Sequence, residues 1–556
     1  MTKERMSRWM SEKVRGNGKR LRALLLAIVL LASPATAHVG SPNVFFEGQA
    51  GPFPVHVIIK PAEVIPGLAE ITVRVEGSGI ERVTALPIKW NAGRKGAPPP
   101  DVAQRVRGET NLFNAQLWFM EGGAQSVELE VTGASGTGHV TIPADAVARR
   151  VLTMPKYLGM ILATLGLALV ALLISIIGAS VRESMLEPGL EPPPRRRLWA
   201  RVAMVSGALL LTLLLWSGTY WWKGEAADYR NNRLYHPLET VAGVRIENGQ
   251  RVLRLEITDP KFARSPPLVP DHGKLMHLFL AREPKLDAFA HLHPLKRDRK
   301  TFETTLPALP AGTYRLYADV TSETGFSDTL TTAVDIPEGP AETIQVVEQA
   351  SHLSPGRLAL GPAGAGGTPG VAGGTPAPLP QDADDSWWSG YGLDTNPASQ
   401  DCRLGQDLIM TWRAPERIAP NEPVSLRFVV RDAAGQPAAF EPYLGMRGHL
   451  ALRRDDGSVF THLHPGGSAS MAAMQLSVLR TEGKLPLAAA FREEEPICQL
   501  PVPSPRDQQW LNGSEWSEGV SFPYAFPKPG RYRLWVQVKV KGEILTGVFD
   551  VDVRPV

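Results

Sequence analysis

Two uncharged apolar runs near the middle of the chain constrain its fold more than any other feature. They cover residues 157–180 and 202–222, and the second ends in the aromatic cluster Tyr220, Trp221 and Trp222. Each run is long enough to cross about 30 Å of hydrocarbon as a helix, and aromatic residues are typical of the membrane interface. The sequence therefore predicts a transmembrane helical hairpin; a buried hairpin of a soluble protein is the alternative.

The connection between these runs, residues 181–201, is rich in arginine. The arginines are Arg182, Arg195, Arg196, Arg197 and Arg201. Positively charged loops stay in the cytoplasm, so the soluble parts on both sides of the hairpin are expected outside it. Residues 1–37 support the same location, because a basic stretch, the apolar run 23–32 and the motif Ala35-Thr36-Ala37 have the form of a secretory signal peptide.

Cleavage after residue 37 would leave His38 as the first residue of a protein in the cytoplasmic membrane of a bacterium. Its soluble domains would then lie on the periplasmic side. The run 23–32 is too short to remain as a membrane anchor. The net charge is only +3, and the basic residues concentrate at the N-terminus and in the hairpin loop, so we expect no nucleic-acid partner.

The soluble parts alternate polar and apolar residues between turns rich in Gly and Pro, which predicts a mainly β protein with several immunoglobulin-like antiparallel sandwiches. We call the expected domains the first unit (38–154), the second unit (228–350) and the third unit (387–556). Residues 356–385, which are rich in Gly, Pro and Ala, are expected to form a flexible linker.

The second and third units share a histidine pattern, H-x-H-P, preceded by another histidine. The first copy contains His277, His291 and His293, and the second contains His449, His462 and His464. Each copy is followed by a second shared element, residues 310–317 and 529–535 respectively. Two matching elements in the same order predict a duplicated domain.

The spacing within each copy predicts a β-hairpin. A two-residue turn at Asp456-Gly457 sets His464 against His449 and His462 against Ala451. In the other copy, a three-residue turn at 284–286 sets His293 against His277. The three histidines of each copy then share one face of the hairpin, and leucines such as Leu450, Leu452 and Leu463 share the opposite, core-facing one.

Three imidazoles on one face can converge on a metal ion, and imidazole suits copper and zinc equally well. Met471 and Met474 would add thioether ligands that favour Cu(I), so copper is preferred and zinc is the alternative. The competing interpretation is that the histidines are half-exposed strand residues and that the methionines fill the core.

Two further features have possible roles in metal binding or stability. Cys402 and Cys498 are the only cysteines and are expected to form a disulfide, with a thiolate metal ligand as the alternative. After cleavage, the α-amine and imidazole of His38 can chelate one Cu(II) ion, with His56 or His139 as a third ligand.

The mature start Ala37-His38-Val39, followed by a β-sandwich and a membrane hairpin, resembles the CopC-type and YtkA-like periplasmic copper-binding or copper-resistance proteins. This resemblance covers mainly the first unit and implies that His38 binds Cu(II). The Asp-x-His pair of that family has no match here, because no aspartate lies two residues before His139. The H-x-H-P modules resemble other YtkA-like secreted domains.

These features favour a membrane-anchored, non-enzymatic protein that binds copper or a similar ion for resistance, delivery or sensing, together with envelope metal-trafficking proteins. A structural or interaction protein with incidental histidines is the second hypothesis. A metal-dependent enzyme is the third, since catalytic zinc also uses three protein ligands. The sequence contains no H-E-x-x-H, G-x-S-x-G or P-loop motif, so we expect no enzymatic activity.

Overall fold

The computed structural model describes residues 38–39, 43–184, 186–187, 189–338, 381–393, 400–405, 407–485 and 519–555. The chain is mainly β and contains several antiparallel sheets, as predicted. The predicted signal peptide lies outside the described residues, as does most of the predicted linker.

The described residues begin with a short strand, β1 (His38–Val39), and continue into the two sheets of the first unit. The first sheet has the order β2-β3-β4-β8-β7 and the second the order β10-β9-β5-β6. Their strands are β2 (Val44–Ala50), β3 (Phe53–Lys60), β4 (Gly67–Val75), β5 (Ile80–Lys89), β6 (Asp101–Val102), β7 (Gln104–Arg105), β8 (Leu112–Phe119), β9 (Gly123–Gly133) and β10 (Gly136–Ala146). Alternate residues of β3, β4 and β8 are buried between the two sheets, which is the pattern of a sandwich.

Two long helices follow, α1 (Lys156–Glu183) and α2 (Pro194–Asp228), the second extended by one π-helical turn over Tyr229–Arg233. Both are long and apolar enough to cross a membrane, and their side chains are almost entirely exposed. Gly178 lies against Met204, and Gly207 lies against Ile177, so small residues let the two helices approach closely. These two helices are compatible with membrane anchoring.

The two ends of this hairpin meet beside the first unit. Ala148, before α1, forms a parallel bridge with Leu234, after α2. The backbone N–H of Tyr235 donates a hydrogen bond of 2.7 Å to the carbonyl of Ala148. The chain therefore enters and leaves the hairpin at the same end.

The second unit is a sandwich of two sheets, with the orders β11-β12-β17-β16 and β13-β18-β14-β15-β20; β19 pairs with β18. Its strands are β11 (Thr240–Glu247), β12 (Gln250–Ile257), β13 (Leu268–Val269), β14 (His277–Arg282), β15 (Ala288–Leu292), β16 (Leu295–Lys296), β17 (Thr301–Thr305), β18 (Gly312–Ser322), β19 (Ser327–Ile336) and β20 (Ser386–Ser389).

The third unit repeats this arrangement with the orders β21-β22-β23-β26 and β1-β25-β24-β27-β28. Its strands are β21 (Asp401–Leu404), β22 (Leu408–Trp412), β23 (Val424–Asp432), β24 (His449–Arg454), β25 (Val459–Leu463), β26 (Val520–Tyr524), β27 (Gly530–Val540) and β28 (Glu543–Val553). One helix, α3 (Met471–Thr481), follows β25, and Ser470 caps it by accepting from the N–H of Ala473.

At several predicted domain boundaries, a segment assigned to one unit pairs with or packs on another unit. We expected the third unit to begin at residue 387, but β20 pairs with β15 of the second unit, and Trp387 packs against that core. We expected residue 38 to begin the first unit, but β1 pairs in parallel with β25 of the third unit. Phe45 of β2 also packs into the core of the third unit. Short edge strands and single aromatic side chains thus join neighbouring units.

Candidate metal centre

Both histidine hairpins have the predicted register. In the second unit, Phe279 pairs with His291 and Leu278 with Leu292. In the third unit, Ala451 pairs with His462 and Leu450 with Leu463. The side chains of Leu450, Leu452 and Leu463 lie in the sandwich core, so the histidines lie on the opposite face as expected.

The histidine faces of the two hairpins pack against each other, a feature that the sequence did not predict. Two aromatic stacks join the units: Phe289 on Trp535, with ring centroids 4.5 Å apart, and Tyr317 on Phe460, 3.9 Å apart. Tyr317 and Trp535 are the last residues of the second shared sequence element. The two stacks therefore use matching positions of the repeat, as in a pseudo-twofold interface.

This contact buries all six predicted histidines. We call His277, His291 and His293 the second-unit triad, and His449, His462 and His464 the third-unit triad. In each triad, one nitrogen from every ring lies within 4.8 Å of the other two. The imidazole side chains are at most 6% exposed. The interpretation of half-exposed strand histidines is therefore wrong.

The outer nitrogens of the second-unit triad all have hydrogen-bond partners. His277 Nε2 lies 3.1 Å from the carbonyl oxygen of Asp271, and His293 Nδ1 lies 3.0 Å from Asp385 Oδ1. His291 Nδ1 lies 2.9 Å from Gln537 Oε1, which belongs to the third unit. Each ring is thus held by an acceptor that fixes the tautomer and leaves the other nitrogen for a ligand.

The third-unit triad repeats this arrangement. His449 Nε2 lies 3.2 Å from the carbonyl oxygen of Tyr443, and His464 Nδ1 lies 3.2 Å from that of Ala469. His462 Nδ1 lies 3.3 Å from Asp319 Oδ2 of the second unit. Asp319 is the cross-strand partner of His277 and Gln537 is that of His449, so each unit supplies an acceptor to the other unit's triad.

The inner nitrogens of each triad face each other at hydrogen-bonding distance, and the tautomer decides whether a proton lies between them. A carbonyl oxygen only accepts, so His277 and His449 donate from Nε2 and carry lone pairs on Nδ1. His291 Nδ1 lies near Gln537 Oε1 and, at 3.3 Å, near the Tyr443 hydroxyl, and His462 Nδ1 makes an ion-pair contact with Asp319. The tautomers that carry the proton on these Nδ1 atoms leave lone pairs on Nε2. The distance is 3.1 Å from His277 Nδ1 to His291 Nε2 and 3.0 Å from His449 Nδ1 to His462 Nε2. Two ligands of one ion with metal–nitrogen bonds near 2.05 Å lie about 3.3 Å apart, so a cation fits between each pair.

The third histidine of each triad also has a nitrogen without a partner. His293 Nε2 and His464 Nε2 are buried and make no hydrogen bond. An unsatisfied buried nitrogen is costly unless a ligand uses it. Each triad therefore offers three imidazole nitrogens to one ion, with its outer nitrogens already oriented.

The electrostatics favour neutral imidazoles, which are the form that binds metals. Burial lowers the pKa values of five rings well below their usual value: His272, His277, His291, His449 and His462. Burial also lowers the pKa of His464. Burial raises the pKa of Asp319 to about 7, and a cation at the third-unit triad would favour its carboxylate form.

A seventh histidine, His272, joins the cluster. Its ring centroid lies 5.0 Å from that of His464 and 5.3 Å from that of His449. Sequence reasoning missed it because Leu444 stands at the corresponding place in the third unit, five residues before His449 as His272 is before His277. Both residues have φ near 52°, a conformation uncommon outside glycine, and each is followed by a glycine.

A cavity of about 530 Å³ lies between the three units and reaches one side of the cluster. Its lining includes His462 and His464, together with Asp271 and Asp319. No member of the second-unit triad is among the described residues that line it. The two triads therefore differ in access.

The weaker site predictions have mixed outcomes. Met474 packs into the apolar core of the first unit and Met471 packs against Met446, so packing accounts for both methionines. The backbone of His38 pairs with Val459, but its side chain lies outside the described residues. Its possible partners lie beside carboxylates, His56 beside Glu47 and Glu76, and His139 beside Glu130.

The cysteine pair stays a prediction, because Cys498 lies outside the described residues. The Cys402 sulfur is 3.4 Å from the backbone nitrogen of Val548, which donates to it. Burial raises the pKa of the Cys402 thiol. Within the part of the chain that the structure describes, Cys402 belongs to no group of metal-ligating residues.

Comparison with protein families gives one match. A family described as a domain of unknown function (DUF8832) matches residues 240–337 and 406–498, which contain the two histidine hairpins. A match of one family to both segments agrees with a duplication. No curated protein matches the chain.

The solved structures that match this chain resemble it only distantly. One is an engineered protein with 20% sequence identity and a TM-score of 0.14, and the match covers 18% of this chain and 21% of the other. Another is dimeric latent PorU from Porphyromonas gingivalis, with 8% identity and a TM-score of 0.14, and the match covers 88% of this chain and 32% of PorU. A third is alpha-2-macroglobulin from Escherichia coli activated by porcine elastase (10%, 92% and 35%, 0.16). The chain thus spans between 21% and 35% of the length of these three proteins.

Proposed function

We propose that this protein is a membrane-anchored, non-enzymatic envelope protein that binds two transition-metal ions, one in each triad, for resistance, delivery or sensing. The observation that carries the proposal is the pair of facing imidazole nitrogens in each triad, 3.1 Å and 3.0 Å apart, with a polar group of the protein beside the outer nitrogen of each ring. Such outer hydrogen bonds are a regular feature of metal-binding histidines.

Copper is the metal we favour, and zinc is the alternative. Sites built from nitrogen ligands bind Cu(II) more tightly than Zn(II), and imidazole suits both. The resemblance to CopC-type and YtkA-like copper-binding proteins points the same way. The methionines no longer contribute to this preference, since both are accounted for by packing.

The location we propose is the cytoplasmic membrane of a bacterium, with the soluble units on the periplasmic side. The arginines of the hairpin loop and the signal-like N-terminus support this orientation. The bridge between Ala148 and Leu234 supports a common side for the first unit and the duplicated pair, because it joins the two ends of the hairpin.

The test is a metal titration of the full chain in detergent with Cu(II) and, separately, with Zn(II). We expect two tight equivalents, and one after either triad is changed to alanine. The control changes His236, a histidine outside the cluster, to alanine and should keep both equivalents. Unchanged stoichiometry in both triad variants would favour the structural or interaction protein, and the metal with the higher affinity identifies the ion.

A further inference from the structure

His272, Asp271 and His464 form a buried junction beyond the two triads. One ligand atom from each of these residues lies within 4.8 Å of the other two. This group shares His464 with the third-unit triad but takes its other two members from the second unit. Leu444, the residue that matches His272, has no ligand atom, and the comparable group in the second unit consists of His293, Asp382 and Asp385.

The His272 ring is a buried polar group without an explanation in the fold. Its side chain is 0% exposed, and neither ring nitrogen makes a hydrogen bond of good geometry, although the backbone of Leu444 lies close enough to act on the ring. Burying ring nitrogens without good hydrogen bonds costs free energy that a leucine, as at position 444, would not. The ring therefore points to a ligand.

The neighbours of this ring fit a cation. His464 Nε2 is also buried and unpartnered. The Asp271 carboxylate uses Oδ1 to accept the N–H of Ala472 at 2.8 Å, and His272 Nε2 lies 3.8 Å from the same oxygen. Two imidazoles and one carboxylate are a ligand set that divalent transition-metal ions accept.

We propose that the ion of the third-unit triad has a second, outer position, held by Asp271, His272 and His464. This inference rests on the proposed function. His464 Nε2 has a single lone pair, so the inner and outer positions are alternatives for one ion. Asp271 and His464 line the central cavity, so the outer position is where an ion from the cavity first meets its ligands. The ion moves inward by exchanging Asp271 and His272 for His449 and His462.

The decisive experiment removes the inner ligands and uses Cu(II) as the probe with the full chain in detergent. We expect the double variant His449→Ala/His462→Ala to keep two equivalents, with the second one weaker and bound through two nitrogens and one oxygen by electron paramagnetic resonance. Adding His272→Leu should reduce the total to one equivalent. Leucine is used for this substitution because it is the residue that matches His272 in the third unit, at position 444.

The outcomes separate this inference from the proposed function. A double variant that binds only one equivalent, or that keeps the second one regardless of His272, overturns the outer position while leaving the triads intact. Wild-type protein that binds no Cu(II) overturns the proposed function. The equivalent in the second-unit triad reports on folding, because both triads depend on the same interface.

A single substitution tests the same position in a protein with both triads present. We expect His272→Leu to bind two equivalents but to load the second about tenfold more slowly, a difference of about 1.4 kcal/mol in the barrier. His236→Leu is the control, since His236 also lines the cavity but lies outside the ligand group. Equal loading rates for wild type and His272→Leu overturn the proposal.

Discussion

The second-unit and third-unit triads have the same internal geometry but different surroundings. In the second-unit triad, the third histidine, His293, is held by the carboxylate of Asp385, and the site is closed. In the third-unit triad, the third histidine, His464, is held by the carbonyl of Ala469, and the rings of His462 and His464 line the central cavity. The two copies keep the same three histidines, whereas the packing of the neighbouring units gives them different access to the cavity.

This difference suggests a division of roles within the proposed function. Both triads have a carboxylate behind one ligand, Asp385 at His293 and Asp319 at His462, so the difference lies in access. A site that does not line the cavity retains an ion, because burial excludes competing ligands. A site beside a cavity exchanges its ion more readily.

The largest expected effect is the stabilisation by metal. At a free Cu(II) concentration of 100 times the dissociation constant, each site should raise the free energy of unfolding by about 2.7 kcal/mol, and two sites by about twice that. In chemical denaturation, Cu(II) should raise the free energy of unfolding of each triad variant by about half as much as it does for the wild type. A variant that retains the full gain would show that its triad does not bind the ion.

The next effect concerns the interface that both triads share. Trp535→Ala removes the stack on Phe289, and truncation of a buried tryptophan costs about 3–5 kcal/mol. Because the interface buries both triads, we expect the Cu(II) affinity of both sites to fall, as measured by titration of the variant with Cu(II). Trp118→Ala, at an exposed tryptophan of the first unit, is the control and should leave both unchanged. If Trp535→Ala lost only one equivalent of bound metal, the two triads would not depend equally on this interface.

A smaller effect should distinguish the two triads directly. Asp385→Asn keeps an oxygen for His293 but removes the negative charge, so the affinity of the second-unit site alone should fall by about tenfold, the lower end for such partners. Asp335→Asn, at an exposed aspartate bonded to Thr313, is the matched control. Equal weakening of both sites in Asp385→Asn would contradict the separate roles.

The smallest expected effect is kinetic. Removal of Cu(II) from wild-type protein by a chelator should occur in two phases, with the fast phase about tenfold faster than the slow one. The fast phase should be absent from the variant without the third-unit triad and present in the variant without the second-unit triad. The reverse assignment would mean that the cavity does not control exchange.

Much of the local structure could be predicted because it depends on short-range rules. The two-residue turn at Asp456-Gly457 and the alternation of leucine and histidine set the register of the third-unit hairpin. The extra residue in the 284–286 turn preserves that register in the second unit, and the structure confirms both. Length and apolar character were likewise enough to predict the two long helices.

Contacts between units could not be predicted in this way. Strand β20 follows a low-complexity stretch, so nothing nearby in the sequence showed that it would pair with the second unit. The histidine at position 272 is not repeated, because Leu444 takes its place in the third unit, and its position beside His464 depends on a contact across nearly two hundred residues. Periodicity describes one strand or hairpin at a time and carries no information about which outer faces meet.

The sequence alone determined the β character, the two apolar helices, the duplication and the choice of six histidines on the faces of two hairpins. Only the tertiary structure decided that these faces pack together, that every outer nitrogen has an acceptor, and that one triad opens onto a cavity. The physical reason is that strand alternation depends on neighbouring residues, whereas burial of a polar face depends on a complementary surface supplied by a distant part of the chain.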